Sequence, residues 1–314
     1  MTRHLALVGP TAAGKSALAL AVAVAAGDVE IVSLDAMQVY RGMDIGTASP
    51  TGAERAAVPH HLVDVADPAE AWSVARTQAG ARAATADIEA RGKRALFVGG
   101  TGLYVQAVVD QLEIPGQDLE VRRALEAAMD EPDGVATAYA RLDALDRTAA
   151  ARIEPNNRRR IARALEVITV TGRPFSSFGP GLHRVGAPAL DVRLVGLWVP
   201  RAELAARIAQ RVAHMRAAGL VDEVRTLASR PHGLACTAAQ AIGYAEILAY
   251  VRGDQPSLDD AFTTVGHRTR QFARRQRVWF RRDPRIQWYG GGAKSPELVS
   301  AILATWTASV PAVR

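Results

Sequence analysis

The chain has 314 residues, of which 49% are hydrophobic and 22% are charged, a composition that is ordinary for a globular protein and excludes a disordered chain. Its net charge is +6, and its single cysteine, Cys236, excludes a disulfide framework and a multi-cysteine zinc site. The longest wholly apolar run, residues 17–26, is too short to cross a bilayer, and no targeting segment is evident. We therefore expect a cytoplasmic monomer without membrane contacts.

Short apolar runs alternate with helical segments in the first third of the chain. Residues 4–8, 30–34 and 94–98 are typical of buried strands. Residues 17–26 and 69–91 are typical of helices. This alternation predicts an α/β fold with a mostly parallel sheet that is flanked by helices.

The pattern changes after about residue 112. Residues 118–171 are rich in arginine, have helical periodicity and carry no strand signal, residues 172–186 are typical of a loop, and a strand is predicted at 192–199. We predict an α/β core formed by residues 1–113 and 186–314, and a helical insertion at 114–185. Four further helices are expected in the core, at about 201–218, 221–229, 238–251 and 257–282.

The first predicted strand is followed by a phosphate loop. Its pattern, G-x-x-x-x-G-K-[ST], lies between a strand and a helix, as a phosphate-binding loop requires. Backbone N–H groups and the helix N-terminus can hold a phosphate, Lys15 adds a cation, and the Ser16 hydroxyl suits Mg²⁺. The loop predicts a phosphorylated ligand, with ATP and other nucleotides as usual examples. Its residues are Gly9, Pro10, Thr11, Ala12, Ala13, Gly14, Lys15 and Ser16.

Two common classes of nucleotide hydrolase do not fit the sequence. The guanine-reading motif N-K-x-D is impossible, because the only asparagines are the adjacent Asn156 and Asn157. The sequence also has no run of four apolar residues that ends in Asp-Glu, the usual ATPase signature. A small-molecule kinase with a phosphate loop remains an alternative function.

Polar residues follow the next two predicted strands. Asp35 follows the second strand, and Thr101 lies in the glycine-rich turn after the third. Ligands of open α/β sheets bind at the carboxyl ends of strands, so Asp35 is a candidate general base or indirect Mg²⁺ ligand. If the two strands are neighbours, Asp35 lies beside the phosphate loop. The alternatives are a capping or turn role for Asp35 and a local backbone hydrogen bond for Thr101.

Several segments are distinctive enough to compare with known families. They are G-P-T-A-A-G-K-S (9–16), D-A-M-Q-V-Y-R-G-M-D-I-G-T-A (35–48), P-H-H-L (59–62), G-G-T-G-L-Y (99–104), R-R-I-A-R-A-L-E (159–166), Q-A-I-G-Y (240–244) and A-R-R-Q (273–276). In this order they resemble the tRNA dimethylallyltransferases, also called tRNA isopentenyltransferases, over nearly the whole chain.

The resemblance implies transfer of a dimethylallyl group from dimethylallyl diphosphate to N6 of adenosine 37, beside the tRNA anticodon. The phosphate loop then holds the diphosphate of that substrate rather than ATP, with Mg²⁺ as cofactor. By the same resemblance, Asp35 is the general base and Thr101 positions the adenine amine.

The resemblance also implies which residues contact tRNA. Ala36 and Ala245 depart from the family pattern, which usually has Ser at the first position and Lys or Arg at the second. Either Arg122 or its neighbour Arg123 is expected to contact tRNA. The implied tRNA-binding residues are Asp35, Ala36, Met37, Gln38, Thr101, Arg122, Arg123, Arg159, Arg160, Ile161, Ala162, Arg163, Gln240, Ala241, Ile242, Gly243, Tyr244, Arg274, Arg275, Gln276, Arg277 and Arg281.

Two arginine-rich stretches carry much of the positive charge. Residues 267–285 contain eight arginines and one acidic residue, and residues 152–163 contain five arginines and one acidic residue. Clustered arginine is typical of phosphate-backbone and base contacts, although a solvated helix face is the alternative. Together with the motifs, the stretches favour an RNA-binding cleft between the core and the insertion. A non-catalytic RNA-binding protein with a phosphate loop is a third hypothesis.

Overall fold

The computed structural model describes residues 3–179, 185–290 and 295–308. The chain forms two compact units. The core unit comprises Met1–Gln111 and Ala187–Arg314, and the inserted unit comprises Leu112–Gly186. Residues 180–184, part of the predicted loop at 172–186, lie outside the described residues.

The described residues of the core unit form one parallel sheet. Its strands are β1 (His4–Val8), β2 (Val29–Ser33), β3 (His60–His61), β4 (Arg94–Gly99), β5 (Val192–Trp198) and β6 (Gln287–Gly290). Their spatial order is β3-β2-β4-β1-β5-β6, and every adjacent pair is parallel. All five residues of β1 and of β2 are buried, which accounts for the apolar run after His4 in β1 and for Val29, Ile31 and Val32 in β2.

Helices connect and cover the strands. They are α1 (Lys15–Ala26), α2 (Gly52–Ala57), α3 (Val74–Ala90), α4 (Gly102–Val109), α5 (Leu119–Ala128), α6 (Gly134–Leu145), α7 (Arg147–Ala150), α8 (Arg158–Thr171), α9 (Arg201–Ala217), α10 (Leu220–Ala228), α11 (Cys236–Ala239), α12 (Tyr244–Arg252), α13 (Leu258–Phe280) and α14 (Pro296–Thr307), with a 3₁₀-helix at Phe175–Phe178. Helices α5 to α8 and the 3₁₀-helix belong to the inserted unit.

Both faces of the sheet are buried. One apolar cluster includes Leu18 of α1, Leu204 of α9 and Trp306 of α14, packed with side chains of β1 and β5. The other includes Ile88 of α3 and Val105 of α4, packed with side chains of β2 and β4. The predicted α/β class, with a parallel sheet flanked by helices, is confirmed.

The chain leaves the core unit and returns to it at adjacent points. The carbonyl oxygen of Val109, at the end of α4, accepts hydrogen bonds from the N–H groups of Ala189 (3.0 Å) and Leu190 (3.1 Å). The inserted unit therefore occupies a single connection of the sheet, between α4 and β5. Its own core includes Leu142, Ile161 and Leu165.

Some predicted elements differ from the observed ones. Strands β3 and β6 were not predicted, because they have only two and four residues and lack a clear alternating pattern. The predicted helix at 69–91 begins at Val74, since Ser73 caps it by accepting from the Arg76 N–H. The predicted helix at 238–251 is two helices, α11 and α12, separated by Gly243 with its positive φ of 98°.

The strand that precedes Asp35 carries a buried carboxylate, which connects several elements of the core unit. Glu30, on β2, is 1% exposed and accepts hydrogen bonds from Arg91 Nη2 (3.0 Å), Lys93 Nζ (2.8 Å) and His61 Nε2 (2.7 Å). Burial by itself raises the pKa of Glu30, but these hydrogen bonds outweigh it and lower the pKa to about 2. The ionised carboxylate therefore joins β2, β3 and the turn before β4.

This cluster predicts a pH-dependent contribution to stability. The folded pKa of Glu30 lies below the ordinary value of 4.5, so its contribution is present above pH 4.5 and is lost as the pH falls towards 2. We expect Glu30→Gln to lower the free energy of unfolding by about 2 kcal/mol at neutral pH, and by less in acid. Urea unfolding at several pH values measures this difference.

Asp87→Asn is the matched control, since exposed Asp87 also pairs with Arg91 but exposed pairs contribute little. If Glu30→Gln lost equal stability at neutral and acidic pH, the ionised Glu30 carboxylate would not be the source of the pH-dependent contribution.

Candidate active site at the carboxyl edge of the sheet

Three predicted site elements meet at one edge of the sheet. The phosphate loop follows β1, Asp35 follows β2, and Thr101 follows β4. Because β4 lies between β1 and β2, those two strands are not neighbours, and the condition for placing Asp35 directly beside the phosphate loop is not met. Thr101 follows the strand between them, and the three elements follow each other along the edge in the order Asp35, Thr101, phosphate loop.

The phosphate loop has the backbone conformation of a tight turn. Gly9, Ala12 and Gly14 have positive φ angles of 148°, 61° and 95°. A Cβ on Gly9 would lie 3.1 Å from the carbonyl oxygen of Leu197, so glycine allows the loop to pass close to β5. Ser16 is exposed in the first turn of α1.

The side-chain ammonium group of Lys15 is partly desolvated. Its Nζ donates a hydrogen bond to the carbonyl oxygen of Pro10 (2.9 Å). Burial lowers the pKa of Lys15 to about 8, although the charge of Asp35 acts to raise it and that of Arg211 lowers it further. Asp35, Lys15 and Arg211 therefore lie close enough to influence each other electrostatically.

Arg211, on α9, is a site residue that the sequence analysis missed. Its Nη1 donates to the Thr11 hydroxyl (3.1 Å), and its Nη2 donates to the Thr47 carbonyl (3.2 Å). Burial lowers the pKa of its guanidinium, and the charge of Asp35 acts in the opposite direction. Arg211 lies far from the phosphate loop in sequence, and no local pattern distinguishes it from other helical arginines.

Asp35 has one oxygen engaged locally. Its Oδ1 accepts from the Met37 N–H (2.9 Å), which is the turn role considered as an alternative. Within the described residues, its Oδ2 makes no hydrogen bond. Burial raises the pKa of nearby Tyr104 to about 12, and the charges of Tyr40 and Asp35 add to the effect. Tyr104 therefore borders Asp35 as a neutral hydroxyl.

Thr101 begins α4 without capping it. The backbone carbonyl of Thr101 accepts from the N–H groups of Tyr104 (2.9 Å) and Val105 (3.1 Å), but its side chain makes no capping hydrogen bond. The local alternative for its hydroxyl is therefore not realised, and the half-buried hydroxyl is available at the edge of the sheet.

The residues after Asp35 form a supported loop. Ala36, Met37 and Gln38 are half-buried. Gln38 accepts a hydrogen bond from the Ser33 hydroxyl (2.8 Å) and donates one to the Ala48 carbonyl (3.1 Å), so its side chain links both ends of this loop.

Glu223, on α10, holds the next part of this loop. Its carboxylate accepts from the N–H groups of Asp44 (3.0 Å), Ile45 (2.8 Å) and Gly46 (3.4 Å), and from the Tyr244 hydroxyl (2.6 Å). A Cβ on Gly46 would lie 2.3 Å from the Tyr244 ring, so glycine is needed for this packing. Glu223 joins two separate motifs, and no local sequence pattern indicated this role.

The segment 240–244 divides into exposed and buried residues. Gln240 is exposed, Ile242 is half-buried, and Ala241, Gly243 and Tyr244 are buried. Tyr244 is 0% exposed, so its role in this structure is to hold the loop through Glu223. Only the outer part of the segment is available to a macromolecule.

Helices α9 and α13 line a basic groove. Arg277 lies 4.1 Å above the Trp198 ring and donates to the Val199 carbonyl (3.1 Å). Arg275 is also exposed on α13. The groove, of about 490 Å³, is lined by Arg201, Leu204, Ala205, Ile208, Arg270, Ala273, Arg274, Arg277, Val278 and Arg281.

Several arginines of the inserted unit hold its structure. Buried Glu166 accepts hydrogen bonds from Arg122 Nε (2.7 Å) and the Asp118 N–H (2.8 Å), and it pairs with Arg163 (3.1 Å). Burial opposes ionisation of Glu166, but these hydrogen bonds lower its pKa. Arg163 also donates to two backbone carbonyls of residues 115–116. Arg122 and Arg163 are therefore engaged within the unit.

The other predicted RNA contacts of this unit differ in exposure. Ile161 and Ala162 are fully buried in its core, so their side chains pack inside the unit. Arg123, Arg159 and Arg160 are exposed. Exposure favours Arg123 over Arg122 as the residue available to an RNA phosphate.

Two features are absent from the described residues. No group of three or more His, Cys, Asp or Glu side chains that could hold a metal ion occurs in residues 3–179, 185–290 and 295–308. In the same part of the chain, no helix is long and apolar enough to cross a membrane.

Comparison with family models and known proteins identifies the family. The model described as IPP transferase matches residues 38–283, and the model described as isopentenyl transferase matches residues 2–60. The chain belongs to the IPP transferase family. The resemblance inferred from the motifs is confirmed.

Curated relatives in this family are similar along nearly their whole length. The chain is 44% identical over 306 residues to a tRNA dimethylallyltransferase of Bifidobacterium longum, with 96% of this chain and 90% of the relative covered. It is 50% identical over 289 residues to a tRNA dimethylallyltransferase of Kineococcus radiotolerans, with 90% of this chain and 89% of the relative covered.

Solved IPP transferase structures share the fold. A tRNA isopentenylpyrophosphate transferase from Bacillus halodurans is 38% identical with a TM-score of 0.69, and the match covers 98% of this chain and 97% of that one. A eukaryotic dimethylallyltransferase acting on tRNA is 26% identical with a TM-score of 0.76, and the match covers 92% and 74% of the two chains.

The electrostatics of the site predict that the Lys15 amine loses its proton at a lower pH than an ordinary lysine. We expect the Lys15 amine to be charged below about pH 8 and neutral above it. Asp35→Asn removes the charge that raises this pKa, so the midpoint of titration moves to a lower pH. Brief reaction with an amine reagent across a pH series, followed by peptide mass spectrometry, measures the midpoint, and only three lysines occur in the chain.

Arg82→Gln, an exposed change on α3, is the control and leaves the midpoint unchanged. A Lys15 midpoint at the ordinary value of 10.5 would show that the amine is fully hydrated.

Proposed function

We propose that the protein transfers the dimethylallyl group of dimethylallyl diphosphate to N6 of adenosine 37 in tRNA and releases diphosphate. The observation that carries this proposal is the order Asp35, Thr101, phosphate loop on neighbouring strand ends, in a chain whose relatives named tRNA dimethylallyltransferase align along nearly its full length.

The phosphate loop and its two cations suit a diphosphate leaving group. Breaking the allylic C–O bond leaves new negative charge on the diphosphate. Backbone N–H groups at the start of α1, the Lys15 ammonium and the Arg211 guanidinium lie where they can stabilise that charge as it develops. Because Lys15 and Arg211 are partly desolvated, their attraction for an anion is stronger than in water.

The oxygen atoms available at the phosphate loop suit a Mg²⁺ ion that is bound mainly by the substrate's phosphates. Mg²⁺ usually keeps several waters and binds through one or two protein oxygens together with substrate phosphates, and the exposed Ser16 hydroxyl at the phosphate loop is such an oxygen. When bound there, Mg²⁺ would neutralise charge on the diphosphate.

The spacing of the strands is compatible with Asp35 as the general base. The backbones of β2 and β1, which precede Asp35 and the phosphate loop, are two strand spacings apart, or about 9.5 Å. Reacting atoms about 3–3.5 Å apart and an amine–carboxylate hydrogen bond of about 2.9 Å fill roughly two thirds of that span. The C–O–P bonds of the substrate occupy the remainder.

The adenine amine needs help from its surroundings. Its lone pair is conjugated with the ring, so it is a weak nucleophile, and removal of its proton by Asp35 would accelerate attack, typically a hundredfold or more. Thr101, which follows the strand between β2 and β1, has a hydroxyl that can orient the amine. Tyr104 is uncharged and lies close enough to Asp35 to be influenced by its charge.

RNA binding is assigned to the exposed arginines. Six arginines are exposed and can contact phosphates or stack on bases. They are Arg274 and Arg275 on α13, Arg281 directly after α13, and Arg123, Arg159 and Arg160 in the inserted unit. The target base must leave the stack to reach the edge of the sheet, at a cost of a few kcal/mol that is smaller in a loop.

Two other functions predict different outcomes. A small-molecule kinase would turn over ATP without RNA, and a non-catalytic RNA-binding protein would bind tRNA without forming a product. The named relatives favour the transferase over the kinase. Incubation with labelled dimethylallyl diphosphate, Mg²⁺ and unmodified tRNA, with ATP in a parallel reaction, separates all three functions.

Asp35→Asn tests the base. The substitution preserves shape and the Met37 N–H contact, so tRNA affinity should change little, while the single-turnover rate of transfer falls by about a hundredfold or more. Asp87→Asn, an exposed change near the end of α3, is the control. A transfer rate within threefold of the parent would remove Asp35 from the mechanism.

Salt dependence tests the RNA surface. Replacing Arg274, Arg275 and Arg281 together by Gln should weaken tRNA binding and flatten the log–log salt slope by about 0.7–0.9 for each arginine that binds a phosphate. The triple variant of Arg123, Arg159 and Arg160 should do the same. Dimethylallyl diphosphate affinity should not change, because the phosphate loop is a separate anion site.

The matched control replaces three exposed arginines elsewhere in the core unit, namely Arg82, Arg225 and Arg252. Equal slopes for all three triple variants and the parent would mean that the RNA binds to another surface.

A further inference from the structure

Gln276 occupies a position that RNA binding does not explain. The motif assigned it to tRNA contact together with its neighbours on α13. Its side chain is 5% exposed, whereas the adjacent Arg274 and Arg275 are exposed. The residue therefore points into the core unit, away from the surface that its neighbours form.

The Gln276 amide joins the two loops of the site. Its Oε1 accepts a hydrogen bond from the Thr11 N–H of the phosphate loop (2.8 Å). Its Nε2 donates a hydrogen bond to the carbonyl oxygen of Gly100, next to Thr101 (2.9 Å). One side chain therefore fixes the loop after β1 relative to the loop after β4.

The chemistry of these contacts selects an amide. Thr11 offers a donor and Gly100 offers an acceptor, and a glutamine side chain supplies the complementary acceptor and donor in one group. A carboxylate would lose the second hydrogen bond, and an apolar side chain would lose both. A Cβ on Gly100 would lie 2.5 Å from Nε2 of Gln276, so the absence of a side chain there permits the close approach.

We propose that Gln276 is a positioning residue that sets the distance between the diphosphate and the adenine amine. It does not touch the reacting atoms. It holds the loop that binds the leaving group against the loop that carries Thr101, so that nucleophile and electrophile meet in a reactive geometry, where small displacements are costly. This inference rests on the proposed function of the two loops.

The test compares Gln276→Met, which has similar length and neither hydrogen bond, with Gln276→Glu, which keeps the acceptor. Gln78→Met is the matched control, because half-buried Gln78 also donates to a backbone carbonyl, that of Ala107 (2.7 Å), at a distance from the phosphate loop. Each variant is measured for single-turnover transfer at saturating substrates, affinity for inorganic diphosphate with Mg²⁺, tRNA affinity, and amide hydrogen exchange of residues 9–16 without ligands.

We expect Gln276→Met to lower the transfer rate and the diphosphate affinity by about tenfold or more, and to accelerate hydrogen exchange in residues 9–16. Its tRNA affinity should remain that of the parent. Gln78→Met should change none of these four properties, even if its melting temperature falls.

The Gln276→Glu variant provides a signature that general destabilisation would not give. Its carboxyl can donate to Gly100 again when protonated, so its transfer rate relative to the parent should rise as the pH falls. The transfer rate of Gln276→Met relative to the parent should not change with pH.

Two results would overturn the inference. One is a parent-like transfer rate and parent-like exchange in Gln276→Met, and the other is a loss confined to tRNA affinity, which would make Gln276 an RNA contact. If the parent itself transfers nothing, the proposed function is wrong, and diphosphate affinity and hydrogen exchange still decide whether Gln276 holds the phosphate loop.

Discussion

Parallel strands all end at the same edge of a sheet, and the chemistry proposed for this protein depends on that constraint. Residues that are far apart in sequence reach one edge because β2, β4 and β1 are neighbours with the same direction. The strand order then sets the spacing between the base, the hydroxyl and the phosphate loop in steps of one strand separation. The distance across the site is therefore a property of the sheet rather than of flexible side chains.

The second determinant is the charge balance of this edge. Lys15 and Arg211 are both desolvated, and Asp35 is the carboxylate whose charge acts on both of them. Desolvated positive charge without full compensation is costly in the free protein, and an anionic ligand relieves that cost.

Features encoded within a few consecutive residues could be predicted from the sequence. The phosphate loop, the turn after Asp35 and the apolar strands β1 and β4 are of this kind, and the family resemblance added the tRNA surface. Arg211, Gln276 and Glu223 have site contacts that only the tertiary fold creates, so no local pattern pointed to their roles.

Motif resemblance also assigned some residues to RNA without distinguishing surface from core. Ile161, Ala162 and Tyr244 are 0% exposed, and Arg122 is engaged by buried Glu166. A motif on a helix includes both the residues that meet a partner and those that hold the helix in place. Only burial and hydrogen-bond partners separate the two groups.

The hydrogen bonds that the Val109 carbonyl accepts from Ala189 and Leu190 have a consequence for how such a protein can be altered. A segment whose two ends are fastened side by side to its host can be exchanged, shortened or removed while the host's strand order is preserved, because a short turn can bridge the remaining ends. Residues 112–186 are thus a replaceable module.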